Sequence, residues 1–245
     1  MTLRDATPGW IRLAYRHVRL RWHAGRLMRA ARDAATPAQW FELVGRFPAF
    51  LSIQQPSEII GLLELVRQAQ PQSVCEIGSA LGGTSFLLTR AASPRALVVL
   101  IDPAFDGART GALRRFAGPT QRMVCIGGSS TDPGVRRSLE QELDGRPLDF
   151  LFIDGDHSWD GIRADWEGWA ALVEPGGVVC LHDSRATPER PIADAGSVRY
   201  TEDVIARDPR FEVVEQVATL TVLVRRERPA ESGPEPRGSG GRNPA

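Results

Sequence analysis

The chain has 245 residues, with thirty basic and thirty acidic side chains, and every basic one is arginine. The absence of lysine excludes a pyridoxal-phosphate enzyme, which needs a lysine Schiff base, a Walker A P-loop, a protein kinase, and a reductase built on a Tyr-x-x-x-Lys pair. A formal net charge of zero argues against nucleic-acid binding by the whole domain, because phosphate contacts need a surplus of cations.

Residues 1–35 hold eight arginines against two aspartates. Trp10, Ile11, Tyr15, Val18 and Trp22 recur at three- and four-residue spacing, which predicts an amphipathic helix with a docking stripe and a solvated basic face. Such a helix can also lie on an anionic membrane, meet another subunit of a homo-oligomer, or cover a site. Residues 1–55 therefore read as an N-terminal helical segment.

Residues 56–227 alternate. Short runs rich in Val, Leu and Ile fall at 73–78, 96–102, 123–127, 148–154 and 177–183, and each is apolar on both faces, as strands of a buried parallel sheet are. Helical patterns at 56–70, 84–92, 107–116, 133–143 and 159–173 surround them. The alternation predicts a doubly wound, Rossmann-like α/β sheet. Two strand patterns at 211–217 and 220–226 predict a closing antiparallel hairpin. Residues 228–245 are rich in Pro, Gly, Ser and charge and read as a disordered tail.

Cys75, Cys125 and Cys180 lie in apolar runs without zinc-site spacing, as expected of reduced, buried thiols in a cytoplasmic protein. No segment approaches the roughly 18 apolar residues of a membrane span, and the N-terminus lacks a signal-peptide apolar core.

Two features point to a nucleoside cofactor. The first apolar strand runs into Gly78, and Gly82 and Gly83 open the next helix, so backbone N–H groups can face a closely approaching ligand. The spacing G-x-x-x-G-G is not that of the dinucleotide fingerprint. Asp102 ends the second strand, where a carboxylate can accept both hydroxyls of a ribose.

Asp154, Asp156 and His157 follow the fourth strand; His182 and Asp183 end the fifth. Neighbouring strand ends of an open α/β sheet share one crevice, so these groups are expected to converge. Carboxylates there suit Mg²⁺, a metal could acidify a hydroxyl, and His157 could take its proton. In a purely structural role, Asp154 would cap the next helix. Asp160 and Asp165 read as exposed helix acids, and Trp159, Trp166 and Trp169 as core.

Glu76-Ile77-Gly78 with Gly82-Gly83-Thr84-Ser85 resembles motif I of class I S-adenosylmethionine-dependent methyltransferases. The stretches Phe152–Trp159, Ala164–Glu167 and Glu174–Asp183 resemble the subgroup of macrolide-sugar O-methyltransferases and cephalosporin-hydroxylase-like proteins. The resemblance implies that Gly78, Ser79, Gly82, Gly83 and Thr84 line the methionine end of the cofactor and that Glu76 orients their loop. It implies that Asp102 binds the ribose and that Gly128 and Ser129 hold the adenine, with Gly128 standing where the family shows Asp. It further implies that Asp154, His182 and Asp183 hold Mg²⁺, with an imidazole at 182 where the relatives have an acid, and that His157 is the base. The expected activity is methyl transfer to a hydroxyl of a small molecule such as a sugar or other natural product. An NAD(P)-binding oxidoreductase and a non-catalytic methyltransferase-like module are the alternatives.

Overall fold

The computed structural model describes residues 9–227; the terminal segments, including the predicted tail, lie outside the described residues. Seven strands form one sheet: β1 (Ser73–Ile77), β2 (Leu97–Asp102), β3 (Arg122–Gly127), β4 (Leu148–Ile153), β5 (Val173–Leu181), β6 (Phe211–Val217) and β7 (Leu220–Arg225). Their order is β3-β2-β1-β4-β5-β7-β6. All neighbouring pairs from β3 to β5 run parallel, while β7 is antiparallel to both β5 and β6. The doubly wound sheet with a closing hairpin is as expected.

The helices are α1 (Gly9–Ala30), α2 (Pro37–Gly45), α3 (Pro56–Ala69), α4 (Gly83–Ala91), α5 (Gly107–Leu113), α6 (Pro133–Leu143), α7 (Trp159–Trp169) and α8 (Gly196–Asp203). Strand alternation divides the core into two layers. Val74, Val98, Leu100, Phe150, Phe152 and Cys180 pack with α1 to α5. Cys75, Ile77, Val99, Ile101, Leu151 and Val179 pack with α6 to α8. Both sheet faces are therefore dry, and the polar groups at the strand ends open onto one rim.

Several expectations change. The stretch 114–116 is a 3₁₀ turn rather than more of α5, and 170–172 is another after α7, with β5 already beginning at Val173. Helix α2 opens on a capping box from Thr36 and Gln39 and falls within the predicted N-terminal helical segment, whereas α8 has no counterpart in the sequence reading. On α1 the docked residues are Leu20, Ala24 and Leu27, joined by Ala31 just past its end, while Tyr15, Val18 and Trp22 of the predicted docking stripe are exposed. Asp165 is buried, not exposed, because it sits in helical phase with buried Ile162, Trp166 and Trp169. Asp160 is exposed, and Trp166 and Trp169 are core as expected. The three cysteines are unpaired; Cys75 and Cys180 are buried and Cys125 only partly.

Candidate active site

A cavity of about 440 Å³ opens where β1, β2, β3 and β4 end. Its lining includes Gly78, Ser79, Ala80, Gly83, Thr84, Asp102, Ser129, Asp154, Gly155 and His157. The size and mixed lining suit a small organic ligand.

The glycine loop is fixed from below and from the side. Gly78 has φ +88°, and a Cβ there would meet the carbonyl oxygen of Asp154 at 1.9 Å, so only glycine lets β1 and β4 end this close together. Glu76 is fully buried beneath the loop and accepts hydrogen bonds from the hydroxyls of Ser79, at 2.8 Å, and Ser85. Burial pushes its carboxyl up to about 7 against those two hydroxyl bonds, helped by the nearby charges of Asp154 and Asp102. Asp102 accepts from the backbone N–H of Ala80 and of Ala104, each at 2.7 Å, and faces the cavity with its remaining lone pairs. Glu76 and Gly82 shape the loop without lining the cavity.

On the far wall, Gly128 and Ser129 line the cavity. Gly128 has φ +143°, and a Cβ would stand 2.6 Å from Cγ2 of Val135. The packing of α6 therefore leaves no room for the family's aspartate at this turn. Behind it, the Asp165 carboxyl is raised to about 6 by burial, opposed by a hydrogen bond with Ser130.

Asp154 and His157 border the cavity, with His182 and Asp183 beside them. Asp154 accepts from His182 Nδ1 at 2.8 Å and lies 3.3 Å from His157 Nε2 through Oδ1, and accepts from Gln54 Nε2 at 2.8 Å through Oδ2. Burial would raise its pKa, but the bonds from His157 and His182 more than offset this and hold it below the usual carboxylate range. His157 Nδ1 lies 3.4 Å from Oδ2 of Asp183, so the half-exposed imidazole stands between two carboxylates. Burial would lower the pKa of His182, yet its bond to Asp154 and the charges of Asp154, Asp183 and Glu58 raise it. Asp183, at φ +46°, receives Arg190 Nε at 2.7 Å on one oxygen and Arg190 Nη2 on the other. Burial pushes Asp183 up; Arg190 and the two imidazoles bring it below the ordinary value.

Gln54, Glu58 and Arg190 were missed by sequence reasoning. Gln54 and Arg190 sit in irregular segments that carry no periodicity. Glu58 could have been found: it occupies the third position of α3, where a carboxylate completes a capping box with Gln55, and it also accepts from the N–H and hydroxyl of Thr219. The segment before α3 completes one side of the site: Leu51 and Ile53 line the cavity, and Ser52 Oγ lies 3.0 Å from Thr84 Oγ1.

The donor set tests the implied metal. Donor atoms of Asp154, His157 and His182 all lie within 4.8 Å of one another, giving one carboxylate and two imidazoles. Both oxygens of Asp183 are held by Arg190. Mg²⁺ takes oxygen ligands, so this nitrogen-rich arrangement fits it poorly.

A seven-stranded sheet in this order, reversed at β7, with a glycine loop after β1 and an acid at the end of β2, defines a class I methyltransferase fold. Residues 75–184 match the family model described as a methyltransferase domain, which bears out the resemblance to methyltransferases. Solved structures share the fold. Cofactor-bound Rv0187 from MTB is 21% identical, with a TM-score of 0.56 over 83% of this chain and 96% of that one. The O-methyltransferase from Bacillus cereus in complex with SAH is 18% identical, with a TM-score of 0.54 over 81% of this chain and 96% of that one. MycE, from the mycinamycin biosynthetic pathway, in complex with Mg, SAH and mycinamycin VI, is 16% identical, with a TM-score of 0.55 over 81% of this chain and 57% of that one.

Proposed function

We propose that the protein is an S-adenosylmethionine-dependent O-methyltransferase acting on a hydroxyl of a small molecule. The observation that carries this is the position of His157: on the wall of the glycine-loop cavity, between the carboxylates of Asp154 and Asp183. The bound forms of similar proteins support the cofactor. The Bacillus cereus enzyme was crystallised with SAH and TomG from Streptomyces achromogenes with SAM. The mycinamycin VI held by MycE supports a natural-product acceptor class.

In this reading the loop from Gly78 to Thr84 receives the methionine end, Asp102 the ribose, and the turn at Gly128 and Ser129 the adenine. When bound, S-adenosylmethionine supplies an electrophilic methyl group on a sulfonium. Holding the hydroxyl oxygen in line with it converts a collision into an oriented transfer. One His157 nitrogen turns from its carboxylate to the hydroxyl and takes the proton as the C–O bond forms. The carboxylate still beside the ring stabilises the resulting imidazolium, while the electron pair of the broken sulfur–methyl bond stays on the sulfur. Asp154 fixes both imidazoles, and Gln54 fixes Asp154. Incubation with methyl-labelled S-adenosylmethionine and a panel of sugar and polyketide hydroxyl compounds tests the reading. Label transfer to oxygen, lost in His157→Ala, is the expected result; oxidation of the panel with NAD(P)+ and no label transfer would overturn it.

A further inference from the structure

The first helix has two apolar stripes, and only one is used. Leu20, Ala24 and Leu27 lie on one side, between 0% and 3% exposed, against the body of the domain. Tyr15, Val18 and Trp22 recur at three- and four-residue spacing on the opposite side and are 66%, 68% and 53% exposed. Three large apolar side chains in a row on one solvent-facing helix surface are uncommon for a face that meets only water.

The charge carried by this helix is of one sign. The helix carries six arginines and no acidic residue. Arg19, Arg21, Arg26 and Arg29 are exposed beside the stripe. Arg26 lies over the Trp22 ring at 4.7 Å from its centroid, and Arg19 over Tyr15 at 6.0 Å. Aromatic rings paired with guanidinium groups are amphipathic units that suit the headgroup layer of a bilayer. No described helix is long and apolar enough to cross a membrane, so a contact through this face would be made lying flat.

We propose that the outer face of α1 docks on an anionic lipid bilayer, with Tyr15, Val18 and Trp22 entering the headgroup layer and the flanking arginines pairing with lipid phosphates. Charge selects this occupant. A second copy meeting the same stripe would bring two sets of arginines together with no acid on either helix to pair them. A nucleic acid would satisfy the arginines and leave Val18 unburied. Arg16, paired with Asp106 just before α5, ties the helix to the rim where Asp102 and Pro103 line the cavity. A docked molecule would therefore hold its active-site rim near the bilayer. The proposal does not depend on the catalytic reading, since it concerns the face of α1 turned away from the domain.

Flotation of the full chain with phosphatidylcholine vesicles, with and without added phosphatidylglycerol, tests it. The expected result is binding to the anionic vesicles at least about tenfold tighter than to the neutral ones, weakened by high salt. The triple variant Tyr15→Ser, Val18→Ser, Trp22→Ser should float no better than with neutral vesicles while keeping the wild-type melting temperature. Should that variant misfold, Arg26→Gln replaces it and should weaken anionic binding roughly fivefold. Equal recovery with both vesicle types would overturn the proposal. So would stripe-dependent self-association in sedimentation, or stripe-dependent capture of RNA, with no vesicle binding.

Discussion

His157 is the group on which turnover should hang. Its side chain is partly exposed and stands beside the carboxylates of Asp154 and Asp183 and the ring of His182 rather than in the apolar core. His157→Ala should therefore lower turnover by about 10²–10⁴-fold, the usual worth of a positioned base. Affinity for S-adenosylhomocysteine, measured by calorimetry, should change little; unchanged turnover would remove His157 as base. Gly128 makes the opposite prediction. Gly128→Asp restores the residue that the family shows, yet φ +143° and Val135 Cγ2 at 2.6 Å oppose any side chain. The variant should lose about 1–3 kcal/mol in denaturant unfolding. A stable variant with tighter cofactor binding would show that α6 yields and that the aspartate is simply missing. At this scale the acids and imidazoles at strand ends were readable, because strand ends converge whatever the details of packing. Arg190 was not: nothing in residues 185–195 predicts that this guanidinium returns to Asp183. Asp165 could have been placed, since its spacing from Ile162, Trp166 and Trp169 is that of one helix face.

Among the elements, β1 and its loop carry a titratable load. Glu76, ordinarily at 4.5, is held up at about 7 by burial beneath the loop. An acid whose pKa rises on folding keeps its proton longer in the folded state, so stability falls as pH rises from about 4.5 to about 7. Glu76→Gln retains an acceptor for Ser79 and Ser85 and removes the proton. Its melting temperature should fall less than the wild type's across that window; an identical pH profile would mean that Glu76 is not the group responsible. Strands β1 to β5 were legible because each is apolar on both faces, which only a doubly covered sheet tolerates. Helix α8 was not, being eight residues long with too few turns to show a period, and α2, at nine residues, was covered only by the general helical reading of residues 1–55. For α1 the sequence reading took the stripe of Tyr15, Val18 and Trp22 as the docking face, whereas tertiary packing buries the side with small alanines, which lets the helix approach α5.

For the molecule as a whole, the absence of lysine has a consequence at the site. The base falls to imidazole, and the cation beside Asp183 is the guanidinium of Arg190. With both Asp183 oxygens taken and two imidazoles around Asp154, the pocket should not depend on Mg²⁺. Prolonged EDTA treatment is expected to leave turnover unchanged; a loss restored by Mg²⁺ would show that Arg190 withdraws and Asp183 binds metal. The most direct test is calorimetric titration of the intact chain with S-adenosylhomocysteine and, separately, with NADPH. Single-site binding of S-adenosylhomocysteine, lost on Asp102→Ala, with no heat from NADPH, is the predicted result. Tight NADPH binding with no response to S-adenosylhomocysteine would contradict it.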